Sequence, residues 1–413
     1  MGESFDIVIR GAKLRGEDAG LRDIAVADGR IARIAPAIDG KGAQEIDAAG
    51  GLVTESFVNT HLHLCKVWTL DMMHEGALQA YHGGSMGKAM SAIEQAAVVK
   101  ENYDAAWITE NARRAVALAA LHGNLHIRAL ADVDSKAKLE GVKALIAVRE
   151  EFRGIVDVQV VAFAQDGIIR EPGTTELMEA AMEMGADVVG GIPWIEFTDA
   201  DAAEHVRICF DLARKFDADV SMLLDDAGDP GLRTLEMMAK EAIARGWEGR
   251  ALGHHCRAMC LYPDPYFGRL AGLLKKARVP IVSDPHTGPL HARVKDLLEE
   301  GVLVSLGQDD ISDAYYPFGR NNMLEVVFLA AHLLWMTTRE EVSRLYDMVT
   351  VDAAKSMNVD GFELAEGAPA HLVVLAEPDV MEAVRNHAAP RAVVSHGTLV
   401  DQDEMTRLAA RPA

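Results

Sequence analysis

The sequence predicts an α/β fold, a (β/α)₈ TIM barrel with a small β-sandwich domain built from both chain ends. Two patterns point to it. Through the middle of the chain, apolar strand-like runs alternate with amphipathic stretches of helical length, and both ends carry short strands and turns without a helical period. A length of 413 residues exceeds one typical domain but fits a barrel with an appendage.

Residues 1–56 read as small-sheet material. Phe5–Ile9, Ile24–Val26 and Ile31–Ile34 are short apolar runs, and Asp28-Gly29 is a hairpin signal. Gly50-Gly51-Leu52-Val53 leads into the barrel. Its eight strand candidates are residues 57–63, 125–131, 156–163, 187–192, 218–224, 250–254, 279–282 and 302–306. Between them, stretches such as Lys136–Glu151, Thr175–Met184, Ala203–Phe216 and Thr234–Arg245 repeat apolar residues every three and four positions. Strand patterns return from about residue 361, at Ala370–Leu375 and Ala392–Val400. The expected division is 1–56 with 361–413 as the small domain, and 57–360 as the barrel.

A formal net charge of −22 argues against nucleic acid or an anionic membrane surface as partner, since both would repel the chain. A small neutral or cationic substrate is easier to accept. Cys65, Cys209, Cys256 and Cys260 are too scattered for a disulfide framework and indicate a reducing compartment. Met1-Gly2-Glu3-Ser4-Phe5-Asp6 lacks the basic and apolar regions of a secretory signal. The longest apolar run, Met323–Met336, is too short to span a bilayer, is broken by Glu325 and His332, and reads as a buried barrel helix. A cytoplasmic protein is expected.

Polar residues collect at the ends of the strand candidates. His61 and His63 end the first, Gln165 and Asp166 the third, Trp194 and Glu196 the fourth, and Asp225 and Asp226 the fifth. His254 and His255 end the sixth, Asp284 and His286 the seventh, Asp309 and Asp310 the eighth. In a barrel these ends converge on one mouth. Strand alternation sends His61 and His63 to the same side, which makes a metal half-site. Two histidines and a carboxylate around an open position are what a hydrolytic cation needs. The plain alternatives are a solvated strand end for the histidine pair and a helix cap for Asp309-Asp310. By the same alternation, only one of His254 and His255 should face the mouth. Asp309 and Asp310 face the same restriction, as one ligand and one proton shuttle or substrate contact.

Several segments together resemble the amidohydrolase superfamily. They are Phe57–Leu64, Val158–Ile168, Gly185–Pro193, and Gly307-Gln308-Asp309-Asp310 continuing through Tyr315–Gly319. Within the superfamily the similarity is to the cytosine deaminase branch, which includes the N-isopropylammelide amidohydrolases. The resemblance implies a distorted barrel, one divalent metal ion (zinc or iron), a homo-oligomer, and hydrolytic removal of an amine from a nitrogen heterocycle. It makes His61, His63 and Asp309 metal ligands, and His255 the histidine over the site or a further ligand. Gln165 becomes a contact to the substrate edge, Asp310 a substrate-contacting neighbour of the ligand, and Tyr315 an aromatic wall; Trp194 joins them as an expected substrate contact.

The chain departs from the family pattern in places. Where the fifth strand should end His-x-x-Glu, it has Leu223 and Asp226; Cys65 stands for an aspartate and Leu130 for a second-strand histidine. Asp226 retains a carboxylate for proton transfer. Three outcomes stay open for the lost ligand: His255 closes the metal shell, Asp225 reaches in, or the metal is weak or absent. Lys66 reads as a solvated strand-end lysine or an extra cationic contact. The leading function is a metal-dependent deaminase in which Asp226 passes a proton to the leaving amine. The alternatives are a cyclic amide or N-alkyl amine hydrolase, which the more apolar mouth would suit, and a binding protein that has lost catalysis.

Overall fold

The computed structural model describes residues 4–16, 20–72 and 98–410, so Met1–Glu3 of the N-terminal segment lie outside the described residues. Strands β1 (Ser4–Ala12), β2 (Arg22–Ala27), β3 (Arg30–Ala35) and β4 (Lys41–Asp47) form one sheet in the order β3-β2-β1-β4. Asp28 and Gly29 turn β2 into β3 with φ of 50° and 75°, the double left-handed geometry of a two-residue hairpin. Strand β5 (Val53–Glu55) leaves for a second sheet.

The barrel follows as β6 (Phe57–Leu62), β7 (Asn124–Asp132), β8 (Asp157–Phe163), β9 (Val188–Gly191), β10 (Asp219–Leu224), β11 (Ala251–His255), β12 (Ile281–Ser283) and β13 (Val304–Leu306). Every neighbouring pair is parallel. β6 and β7 are buried at every position, as a strand covered on both faces must be. Closure runs through the mouth itself. Thr60 Oγ1 donates to Leu306 O at 3.0 Å, Asp309 N to His61 O at 2.9 Å, and His63 N to Asp309 O at 2.8 Å. The bonds that close the cylinder therefore set Asp309 beside the histidine pair.

After the barrel, β14 (Leu372–Val374), β15 (Ala392–Ser395) and β16 (Thr398–Leu399) join β5 in the order β16-β15-β14-β5. Ile7, Ile9, Ile24, Val26 and Ile31 of the first sheet share one buried cluster with Val53, Leu372, Val374 and Val394 of the second, which makes the pair a sandwich.

Three local readings change. The run Ala392–Val400 breaks at His396-Gly397, both left-handed, into a hairpin. The helix expected from Lys136 starts at Glu140, because Asp134 accepts the backbone N–H groups of Lys136 and Ala137 and holds a turn there. The C-terminal part also carries two helices, Val380–Asn386 and Gln402–Ala409, capped by Asp379 and Asp401. The apolar stretch from Met323 forms the helix Met323–Leu333, with Met323, Leu324, Val326, Val327 and Ala330 buried. Among the described residues no helix is long and apolar enough to cross a membrane.

Candidate metal centre

His61 is the penultimate residue of β6 and fully buried, and His63 follows one residue beyond the strand. Their rings lie 5.1 Å apart. Asp309 Oδ1 lies 3.2 Å from His61 Nε2, 3.7 Å from His63 Nε2 and 3.8 Å from His255 Nε2. Three imidazole nitrogens thus face one carboxylate oxygen, an N₃O donor set of the kind zinc and iron accept. Among the described residues, buried His61 Nε2 has no hydrogen-bond partner. An unpartnered buried nitrogen within an acid-rich cluster fits a cation held there.

One choice of tautomers fits this arrangement. His254 Nε2 lies 2.6 Å from Ser221 Oγ, and its Nδ1 lies 2.8 Å from His61 Nδ1. With His254 donating to Ser221, its Nδ1 accepts from His61 Nδ1–H, and His61 Nε2 is left as a lone pair. Full burial, with Lys66 nearby, holds His63 well below its ordinary value; burial and Arg257 do the same to His255. Burial opposes the charge on Asp309, but His255 and His61 outweigh it and keep the group ionised. Neutral His63 and His255 and an ionised Asp309 are in the protonation states metal ligands require. Burial opposes a charge on His61, but Asp284 and Asp309 outweigh it and raise that imidazole, so a cation bound there would displace its proton.

Strand alternation fails at two of these positions. His254 and His255 were expected to point apart, yet His61 packs against both rings, at 4.6 and 4.8 Å. His255 has φ of 62°, so the chain leaves β geometry there and turns the second imidazole into the mouth as well. Asp309, at φ 67°, does the same, and both Asp309 and Asp310 are buried. Asp225 is excluded as a substitute ligand. Its carboxylate accepts from Thr234 N and Oγ1 at 2.6 Å each and from the Tyr262 hydroxyl at 2.7 Å, tying it to the start of helix Thr234–Arg245.

Sequence reasoning missed the placement of Asp284 and Arg257 and left Lys66 open between a solvated lysine and a cationic contact. Asp284 stands behind the histidines, 3.3 Å from His255 Nδ1 and 3.7 Å from His61 Nδ1. Among the described residues neither of its oxygens has a hydrogen-bond partner. Its place at a strand end was legible, but its direction was not. Arg257 pairs with Asp226 and lies 3.8 Å from Asp309 Oδ2; no sequence signal pointed to it. Lys66 is buried instead of solvated, donating to Gln165 Oε1 at 2.7 Å and lying 3.4 Å from Asp132. Asp226, 4.0 Å from His255 Nε2, is pushed up to about 6 by burial, against the pull of Arg257.

The remaining candidates form the wall. Leu130, Val161, Phe163, Ile192 and Leu223 make one buried cluster against which Trp194 and Tyr315 pack. The two leucines found where the family pattern has histidine thus belong to the cluster that the expected aromatic residues pack against. Lys66 Nζ lies 5.0 Å from the Tyr315 ring centre, so Gln165, Lys66 and Tyr315 are neighbours.

The sequence profile of the amidohydrolase family matches residues 44–401. Over 407 residues, 98% of the chain, it is 28% identical to the N-isopropylammelide isopropyl amidohydrolase of Pseudomonas sp. strain ADP, of which 99% is covered. It is 25% identical to the pterin deaminase of Rhizobium rhizogenes strain K84, across 92% of this chain and 88% of that one. The crystal structure of 5-methylcytosine deaminase from Klebsiella pneumoniae liganded with phosphonocytosine superposes with a TM-score of 0.87 at 32% identity, covering 96% of this chain and 98% of that chain.

Proposed function

Because the chain belongs to the amidohydrolase family, we propose that it is a metal-dependent aminohydrolase that removes ammonia or an amine from a ring carbon of a small nitrogen heterocycle. Full-length similarity to an amidohydrolase and to deaminases supports hydrolysis of a non-peptide C–N bond. The observation that carries the reading is the meeting of His61, His63 and Asp309 at the barrel mouth. These three would hold the cation, and His255 is the nearest further donor. A divalent ion there supplies Lewis acidity and lowers the pKa of water to about 7.

The chain's own residues supply the rest. Asp226, ionising at about 6 beside His255, exchanges a proton near neutrality, as a group that protonates a leaving amine must. Burial, with Asp309 and Asp313 close by, raises Asp310 well above the usual carboxylate range, so it holds a proton shared with Asp313 that a ring nitrogen or carbonyl would have to draw away. Lys66 occupies Gln165 Oε1 and leaves the amide N–H groups to meet a ring acceptor. Trp194 and Tyr315, backed by Leu130 and Leu223, make a flat apolar wall for a planar ring.

That wall favours a ring bearing an apolar substituent, such as an N-alkyl amine, over a bare pyrimidine. The test is ammonia and amine release by metal-loaded protein from cytosine, isocytosine, triazines of the ammelide type with and without an N-alkyl group, and hydantoins. Turnover of an aminated ring, lost in H61A/H63A, is expected, with the alkylated triazine preferred. Opening of hydantoins alone would shift the reading to cyclic amides. A protein holding stoichiometric metal yet inert on every compound would overturn it.

A further inference from the structure

The end of the barrel away from the mouth carries a second group of metal-binding side chains that the reaction does not use. His126 lies near the start of β7, Asp157 opens β8, His371 immediately precedes β14, and His396 occupies the β15–β16 turn. The first two belong to the barrel and the last two to the sandwich. His126 Nε2 and His396 Nε2 each lie 3.2 Å from Asp157 Oδ2. His371 stands edge-on to both imidazoles, with ring centres 4.9 and 4.5 Å away. One ligand atom from each of His126, Asp157 and His371 falls within 4.8 Å of the others. In a tetrahedron with metal–ligand bonds of about 2.0–2.1 Å, the ligand atoms are about 3.3 Å apart, the spacing both histidines keep from Asp157.

An ion pair alone accounts for only part of this. The side chain of His126 is 6% exposed, and among the described residues its Nδ1 has no hydrogen-bond partner. Phe362 covers the group, edge-on to His126 at 5.2 Å and stacked on His371 at an interplanar angle of 14°. His396 holds φ of 51° in a two-residue turn, a position that asparagine or glycine fills with less strain. Ser395 Oγ lies 3.0 Å from His396 Nδ1, which turns Nε2 toward Asp157. His371 Nδ1 accepts from His396 N at 3.4 Å, leaving its Nε2 for a ligand.

We propose that His126, Asp157, His371 and His396 form a second metal site, structural in role, that takes zinc or another imidazole-preferring divalent transition metal and pins the sandwich to the barrel. Three imidazoles and one carboxylate would complete a tetrahedral shell without an open position, His396 entering it beside Asp157, and such a shell is the mark of a structural site.

The test counts zinc per chain in full-length protein that has been stripped with chelator, reloaded with excess zinc and desalted. H61A/H63A removes two of the four mouth donors; H371A/H396A removes two partly exposed members of the second group, and circular dichroism checks the fold of each. H61A/H63A should retain one zinc, its cobalt(II) form should show the visible band of a tetrahedral ion, and zinc should raise its melting temperature. All three should vanish when H371A/H396A is added. A folded H61A/H63A protein that holds no zinc at tens of micromolar overturns the proposal. So does zinc retained after H371A/H396A is combined with it. The outcome is separable from the mouth, because the decisive protein lacks two of the three imidazoles there.

Discussion

Replacing Asp284 with asparagine should pull stability and metal affinity in opposite directions. The side chain is fully buried, and among the described residues neither oxygen is hydrogen-bonded. Burial, opposed by His61 and reinforced by Asp309, pushes its ionisation from 3.8 up to about 7. Because the folded value lies above the unfolded one, folding carries no penalty below about pH 4. The penalty grows between pH 4 and 7 and stays level above that. At pH 8 it amounts to on the order of 2–4 kcal/mol, allowing for the coupling of this carboxyl to the histidines. Asparagine keeps the shape and loses the charge. At roughly 2.1 cal/mol/K of unfolding entropy per residue, the chelated variant should melt about 2–5 °C higher at pH 8, with a smaller gain at pH 5.

Metal binding should respond the other way. A negative charge 3.7 Å behind His61 Nδ1 and 3.3 Å behind His255 Nδ1 makes both imidazoles better donors, and since it acts without a hydrogen bond its removal should weaken binding about 10-fold, the lower end of the range for outer-shell partners. Differential scanning fluorimetry of chelated protein at the two pH values and zinc competition against a chromophoric chelator read the two effects separately. A chelated D284N protein that is less stable at pH 8, or that gains equally at both pH values, would refute the reasoning.

Leu223→His, one strand from His254 in register, should tighten metal binding at least about tenfold by competition assay. It should also erode any preference for alkylated rings, because it breaks the cluster holding Trp194 and Tyr315. Asp226→Asn should lower kcat by about 10²–10⁴ with metal content unchanged, and Asp226→Glu should recover part of the loss; an unchanged kcat would remove Asp226 from proton transfer. Acid should destabilise the fold early. Burial, joined by Arg320, holds His122 down at about 4, and His371 sits at about 3, both below the ordinary 6.5, so stability present above pH 6.5 is lost as pH falls. Each should contribute a loss of about 1 kcal/mol by pH 5.5, and His122→Asn should flatten the melting-temperature profile between pH 7 and 5.5.

What the sequence made legible, and what it hid, follows from the period of the β-strand. Within the strands, alternation and apolarity located all eight barrel elements to within a few residues, since a parallel strand covered on both faces leaves a near-continuous hydrophobic run. The hairpin at Asp28-Gly29 was equally readable because two left-handed residues in succession demand such side chains. The mouth is where that logic stops. Asp225, His255, Cys256 and Asp309 have φ of 47°, 62°, 49° and 67°, so at the strand ends consecutive side chains no longer alternate.

This break explains each misreading. His255 joins His254 on the inside because its backbone turns left-handed, whereas Asp225 turns toward helix Thr234–Arg245. Asp284, Arg257 and Lys66 were obscure for a different reason: each is defined by partners on other strands, and one chain read in order does not say which strand end leans toward which. Membership of the mouth is therefore a one-dimensional property, fixed by distance from the end of an apolar run. Coordination and charge pairing are set by the few residues that depart from β geometry, and a family pattern assigns those correctly only where the chain preserves its residues. At Leu223 it does not, and the carboxylate nearest the remaining imidazoles after Asp309 comes from β12's end, a strand to which the pattern gave no role.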